Sequence, residues 1–166
     1  MGRFTSGRWL RFSLRTFLVV FTVLTTWLGV RVYHARQQAI AIAAIEAIDG
    51  YYYYDFQFSP PTDYFPDASA PGPSWVWRYI DVNLFFNVAA VGLNSKPATD
   101  ETVRLVSYLQ GLQQLDLASA PGVTDKSLYY IESLGELTYL RLDGTSIDPA
   151  KIDAFQQTHP TLTIER

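Results

Sequence analysis

Few residues in this 166-residue chain have the types and spacing that catalysis needs. The two histidines are His34 and His159, and no Ser/His/Asp grouping, histidine cluster or glycine-rich phosphate loop accompanies either of them. Cysteine is absent, which excludes a disulfide framework, a thiolate metal site and a cysteine nucleophile. The sequence therefore predicts a protein that is not an enzyme, with no catalytic residue, no cofactor and no metal site.

A second group of polar residues is better suited to recognition. These residues alternate with leucines in two stretches, QLD at 114–116 and YLRLD at 139–143. Alternate residues of a strand point to opposite faces, so the leucines face a core and the polar residues face outward. The pattern predicts either a protein-binding face, because tyrosine and arginine are enriched at binding hot spots, or a plain solvated face with a surface ion pair between Asp116 and Arg141. The candidate binding residues are Gln114, Asp116, Tyr139, Arg141 and Asp143.

The elements that position these residues form an internal repeat. A strand-like pattern, apolar-x-x-apolar-x-Leu, begins at Val88, Leu112 and Leu137, so its starts are 24 and 25 residues apart. A fourth start, at Leu162, is cut short by the end of the chain, and its register stays open. We expect the three full segments to lie side by side as parallel neighbours.

The second half of each unit is predicted to be a helix, because apolar residues recur there at i and i+3. These pairs are Val103/Val106, Leu128/Ile131 and Ile152/Phe155. A residue that can cap a helix N-terminus stands four positions before each first apolar residue. The expected caps are Thr99, Thr124 and Asp148.

With the LxxLxL strand and the TD-x-x-L helix, the chain resembles the leucine-rich repeat family, in its class of about 25 residues per repeat. The chain as a whole resembles short bacterial membrane-anchored leucine-rich repeat proteins in its Arg-rich head, its RFSLRT entry to an apolar segment and its tyrosine-rich strand. The resemblance implies an α/β fold, a short solenoid with a parallel sheet and one helix per repeat, which commonly binds proteins.

The apolar segment covers Thr16–Val30 and contains no charge. Its 15 residues span roughly 22 Å, short of the ~30 Å hydrocarbon core, but Arg15 and Arg31 can lift their charges to the interfaces. Trp9 and Tyr33 stand where interfacial aromatic residues are expected. The sequence favours an uncleaved signal anchor, a single transmembrane helix, over a cleaved signal peptide or a buried core helix.

The charges of the chain divide into a basic head and an acidic body. Six arginines precede Glu46, the first acid, and the remaining seven Lys and Arg residues face all sixteen acids. An acidic body argues against a nucleic-acid partner. Four arginines precede the apolar segment and two follow it, which predicts a cytoplasmic N-terminus and a repeat domain outside.

The sequence divides into four parts. Residues 1–36 form the basic N-terminus and transmembrane helix, 37–58 a juxtamembrane helix and an aromatic strand, 59–73 a Pro-rich linker, and 74–166 the repeat domain with an N-terminal cap helix. We expect a membrane-anchored interaction module for an unknown protein or envelope partner. The alternative is a structural or spacer protein of the cell envelope without a specific ligand.

Overall fold

A computed structural model describes residues 14–59 and 63–166. The chain divides into two compact units, Met1–Tyr33 and His34–Arg166. The predicted basic head falls largely outside the described residues, since Arg3, Arg8 and Arg11 precede residue 14.

The first helix, α1, covers Leu14–Glu46, so the apolar segment and the residues that follow it form one continuous helix. It is long and apolar enough to cross a membrane, and none of its most apolar window is buried, unlike a soluble core helix. Thr22 and Thr25 donate their hydroxyl protons to carbonyl oxygens one turn back, at 2.8 and 2.9 Å, so their polar groups are satisfied within the helix. The guanidinium of Arg31 lies 5.8 Å from the ring centroid of Trp27.

The last part of α1 belongs to the second unit, where Ala41, Ile42 and Ile45 are buried in the main core. The sequence predicts a stop at Asp49-Gly50 with Gly50 in the left-handed conformation, but Asp49 takes it, with φ +54°. Gly50 is needed for a different reason. A Cβ there would lie 2.7 Å from a methyl carbon of Leu93, so only glycine allows this close approach.

One five-stranded sheet organises the second unit, in the order β1-β4-β5-β6-β7. Strands β4 to β7 are mutually parallel, which confirms the predicted side-by-side arrangement. The last strand continues the same register, with Ile164 opposite Leu140, and resolves what the sequence left open. Strand β1 pairs antiparallel with β4 at the other edge. The bounds are β1 Tyr51–Tyr54, β4 Val88–Gly92, β5 Gln114–Asp116, β6 Tyr139–Arg141 and β7 Thr163–Glu165.

Three helices follow β4, β5 and β6: α2 at Asp100–Val106, α3 at Lys126–Ile131 and α4 at Pro149–Thr158. Their apolar residues pack with the strand leucines in one core, as the i, i+3 pattern predicts. Burial of each such side chain contributes about 1.5–3 kcal/mol. The resulting fold is mixed α/β.

Two of the three predicted helix caps are confirmed. Thr99 caps α2 by accepting from the Thr102 N–H, and Asp148 caps α4 by accepting from the Ala150 N–H at 2.9 Å. The prediction for Thr124 is wrong, because α3 begins after Asp125. The Thr124 hydroxyl instead donates to the Asp100 carboxylate of the preceding repeat.

Two aspartate carboxylates connect neighbouring repeats, a role that the sequence did not suggest. Asp100 accepts hydrogen bonds from the Thr124 N–H and hydroxyl at 2.7 Å and from the Ser127 hydroxyl at 2.6 Å. Twenty-five residues further on, Asp125 accepts from the Asp148 N–H at 2.8 Å and pairs with Lys151 at 2.7 Å. An aspartate therefore joins the starts of α2 and α3 to the next repeat.

The turns after the strands also repeat. The residue two positions after the last leucine of each strand motif has a left-handed backbone in all three units, with φ +57°, +56° and +69°. Two of these N–H groups donate to the following unit at 2.8 and 2.6 Å, which continues the hydrogen-bond ladder beyond the strands. These residues are Ser95, Ser119 and Gly144.

The sequence predicts that a short cap helix carries Trp75 and Trp77 over the exposed end of the repeats, but the segment before β4 has a different structure. It forms two short 3₁₀ helices, Val76–Arg78 and Val82–Leu84. Trp77 contacts the rings of Phe85 and Phe86, but Trp75 is 66% exposed. Instead, β1 covers this edge of the sheet, and Tyr52 and Tyr54 pack against the core as the aromatic-strand prediction requires.

Candidate binding site

The outward face of the sheet carries the predicted binding residues in two rows. Gln114 lies opposite Tyr139, and Asp116 lies opposite Arg141, both in the predicted register. Asp143 follows β6, and its carboxylate accepts from the Arg141 Nε at 2.7 Å. The described strands extend both rows at each end, with Ala90 and Thr163 in one and Gly92 and Glu165 in the other.

A pocket of about 190 Å³ lies on this face, and we call it the tyrosine pocket. Its floor is strands β4 and β5, and its walls are aromatic side chains from both sides. The lining residues are Tyr51, Tyr64, Ala90, Val91, Gln114, Asp116 and Tyr139. Three of the five predicted site residues line it, whereas Arg141 and Asp143 do not.

Tyr51 reaches the pocket because side chains alternate along β1. Tyr52 and Tyr54 face the core, so Tyr51 and Tyr53 face the other way. The Tyr51 ring lies directly over Gly92, where any Cβ would overlap it. Glycine at this position thus makes room for one wall of the pocket.

Tyr64 comes from a short antiparallel pair of strands, β2 Phe58–Ser59 and β3 Asp63–Tyr64, of which β3 lies inside the region predicted to be a linker. Its ring packs 4.9 Å from the Tyr53 ring and 5.5 Å from the Phe58 ring, measured between centroids. Its hydroxyl donates to Oε1 of Gln114, which is only 8% exposed. This pair of strands is therefore attached to the sheet through a predicted site residue. The sequence signal was the aromatic pair Tyr64-Phe65 among the prolines.

Asp116 provides the negative charge of the pocket. Its Oδ1 accepts from the Ala118 N–H at 2.9 Å, and none of the described cations forms an ion pair with it. Burial raises the pKa of Tyr51 and of Tyr64, and the nearby Asp116 carboxylate raises both further. These phenols are therefore neutral at ordinary pH, and they act as aromatic surfaces and hydrogen-bond donors rather than as nucleophiles.

Asp116 and Arg141 are neighbours in the sheet, as the sequence predicts, but they do not form the ion pair that the solvated-face alternative includes. The Arg141 guanidinium lies 2.7 Å from Asp143 and 3.8 Å from Glu165 instead. Asp143 lies two residues after Arg141, beyond the end of β6, and its carboxylate meets the guanidinium there. The Tyr139 hydroxyl also donates to Glu165, and this hydrogen bond raises the pKa of Tyr139 to about 12.

The groups that line the pocket are suited to non-covalent contacts. Aromatic walls, one amide and one carboxylate supply stacking, hydrogen bonding and charge. Within residues 14–59 and 63–166, no three His, Cys, Asp or Glu side chains converge as a metal ion would require. No model of a known protein family matches the chain, and no curated protein matches it either.

Proposed function

We propose that the chain is a single-pass membrane protein that displays a short leucine-rich repeat solenoid as a non-enzymatic protein-interaction module. The observation that carries this proposal is the parallel register of β4, β5, β6 and β7, in which equivalent positions of successive sequence repeats lie opposite one another. Stacked repeats of one strand and one helix produce such a register.

Two further regularities support the solenoid. The left-handed residue of each turn and the connecting carboxylate of each helix start recur at the spacing of the leucines. The first two repeats therefore use the same kinds of contact to join the repeat that follows. Three units are also close to the minimum at which repeats bury a continuous core.

The membrane part of the proposal rests on α1, which is apolar, long enough to span a bilayer and unburied in its most apolar window. We place its N-terminus in the cytoplasm from the surplus of arginines before the span. Alkaline phosphatase fused to the C-terminus should be active, whereas green fluorescent protein at the same position should stay dark. The reverse result would contradict the orientation, and release of a soluble, shortened protein would replace the anchor with a cleaved signal.

The interaction part rests on the outward face with Gln114, Asp116, Tyr139, Arg141 and Asp143. Cross-linking in intact cells followed by mass spectrometry, with the full-length protein as bait, should recover a specific partner. The double variant Tyr139→Ala/Arg141→Ala should lose it. Tyr79→Ala is the matched control, because Tyr79 is 80% exposed and lies outside the sheet. Equal recovery from all three proteins would remove the sheet face as the binding surface.

The alternative is a structural or spacer protein whose repeats pack laterally. Tyr129 favours it, because a large aromatic residue is left in solvent on the helix side, beside Tyr108 and Tyr130. Sedimentation of the full-length protein in detergent distinguishes the two. Reversible self-association that Tyr129→Ala abolishes would support the spacer, and a monomer would exclude this packing surface.

A further inference from the structure

The tyrosine pocket has a size that suits one side chain rather than a whole small molecule. Its volume of about 190 Å³ is below the roughly 300–1,000 Å³ of sites for drug-sized ligands. A side chain presented by a protein at the sheet face could enter it. The pocket is also open to that face, because two of its walls, Tyr51 and Tyr64, are themselves 43% and 41% exposed.

The chemistry of the walls favours a cation. The faces of tyrosine rings carry negative charge density and attract a guanidinium or ammonium group placed over them. Asp116 adds a full negative charge at the same place, and no described arginine or lysine neutralises it by direct pairing. An anion would be repelled by this carboxylate. Arg141 is near enough to act on Asp116 electrostatically, but it forms its ion pairs with Asp143 and Glu165.

The surroundings keep the pocket negative. The nearest cation of the face, Arg141, is held by Asp143 and Glu165. The carboxylates of Asp116, Asp143 and Glu165 outnumber the single guanidinium of Arg141, so this face carries an excess of negative charge. A cation that approaches the face is therefore attracted before it reaches the pocket.

We propose that the tyrosine pocket binds the guanidinium group of an arginine side chain that a partner protein presents to the sheet. This inference rests on the proposed function, because it specifies the chemistry of the partner at the same face. Arginine suits the pocket better than lysine, since its planar, weakly hydrated head stacks on an aromatic ring while its N–H groups pair with a carboxylate.

The test uses the full-length protein in phosphatidylcholine nanodiscs, with ¹³C-labelled tyrosine rings followed by NMR. The two probes are N-acetyl-arginine amide and N-acetyl-citrulline amide, which have nearly the same shape but differ in charge. We expect the arginine compound to shift the Tyr51 and Tyr64 signals and to bind at least about fivefold more tightly than the citrulline compound. Added salt should reduce this difference, because the pocket is partly open to solvent.

Asp116→Asn is the decisive variant. Asparagine keeps the Oδ1 acceptor for the Ala118 N–H, so the turn after β5 stays intact while the charge is lost. We expect its affinity for the arginine compound to fall about fivefold, to the level of the citrulline compound. Glu136→Gln is the matched control, because it removes one negative charge from an exposed position before β6, and it should leave binding unchanged.

Equal affinity for the two probes, no shift of the tyrosine signals at millimolar concentration, or unchanged binding in Asp116→Asn would each overturn the arginine pocket. Failure of the arginine pocket can be distinguished from failure of the proposed function. If the pocket fails but Tyr139→Ala/Arg141→Ala still loses the cross-linked partner, the interaction module stands without an arginine subsite. If the pocket binds arginine selectively but the double variant retains its partner, the pocket stands and the wider face is not the interface.

Discussion

The two faces of the five-stranded sheet are built from adjacent residues of the same strands, yet they differ in almost every physical property. Toward the helices, Val91, Leu115 and Leu140 are at most 3% exposed and carry no polar atom in their side chains. On the opposite face, the chain neighbours of Leu115 and Leu140 are four polar residues, of which Gln114, Asp116 and Tyr139 line the tyrosine pocket. A shift of one residue in register would exchange the two faces.

Within each strand, the inward-facing residues provide the stability of the fold, and the outward-facing residues between them form the candidate binding face. The buried face fixes the register, because moving a leucine into solvent costs far more than breaking a surface ion pair. The outer face can therefore change its side chains with little effect on folding. The following predictions test this separation in the full-length protein in detergent micelles, from the largest expected effect to the smallest.

Leu115→Ala should lower the free energy of unfolding by about 3 kcal/mol, because Leu115 is completely buried and its truncation leaves a cavity. Urea unfolding followed by circular dichroism measures the loss. The control is Asp116→Asn, one residue away on the other face, which should change stability by less than about 0.5 kcal/mol. Similar losses from both variants would break the distinction between the faces.

Asp100→Asn should cost about 2 kcal/mol, because its carboxylate accepts three hydrogen bonds from Thr124 and Ser127 of the next unit. Burial raises the pKa of Asp100, but the hydrogen bonds outweigh burial and hold this pKa below its usual value. Its contribution to stability is thus present above about pH 4 and is lost as the pH falls through the lowered pKa.

Urea midpoints measured between pH 6 and pH 3 check this dependence, and in Asp100→Asn the fall at acid pH should be smaller than in the wild type. Asp153→Asn is the control, since Asp153 forms an exposed ion pair with Arg166 and should contribute less than about 1 kcal/mol. An identical acid profile in wild type and Asp100→Asn would remove Asp100 as the connection between units.

Gly144→Ala should cost about 1 kcal/mol, because its φ of +69° is unfavourable for alanine and the new Cβ would lie 3.2 Å from the Ser119 Cα. Thermal unfolding measures the change. Gly135→Ala is matched to it, since a Cβ there meets nothing within 4 Å, and it should be neutral or stabilise slightly. Equal effects would mean that the repeated left-handed turn does not matter for stability.

Tyr139→Phe should change stability at neutral pH by no more than about 0.5 kcal/mol, because it removes one hydrogen bond at a solvated face. The hydrogen bond to Glu165 raises the pKa of Tyr139 to about 12, so it stabilises the fold below pH 10 and is lost as the pH rises toward 12. Ultraviolet titration of tyrosinate should show one fewer group ionising near pH 12 in the variant. If the group that disappears from the curve ionises near pH 10 instead, the hydrogen bond to Glu165 is contradicted.

Much of the sheet could be predicted from the sequence because its information is local and repeated. Leucines at fixed spacing determine which residues face the core, and the match between units determines the register, so Gln114 and Tyr139 were placed correctly. The helices followed from the same periodicity. Thr124 failed as a cap because Asp100 of the preceding unit takes its hydroxyl, a contact between units that a cap pattern within one unit cannot reveal.

The pocket could be predicted only in part, because its walls come from segments outside the repeat. Tyr51 lies on an antiparallel edge strand, and Tyr64 lies on a short strand among prolines; both meet the sheet through contacts between residues far apart in sequence. The acidic partner of Arg141 could not be predicted for another reason. Strand register gives the neighbours of a residue, but not the direction in which a long arginine side chain turns. Trp75 was expected to cover the sheet edge, but β1 already does so.

Disulfide cross-linking tests the stacking of the repeats most directly, because the natural chain contains no cysteine. The pair Gln114→Cys/Tyr139→Cys joins positions in register, and such neighbours lie about 4.8 Å apart, within the range that a disulfide spans. The pair Gln114→Cys/Arg141→Cys is offset by two residues and exceeds about 7 Å. We predict rapid oxidation of the first pair and none of the second. Cross-linking of the offset pair alone, or of both pairs equally, would contradict stacked parallel repeats.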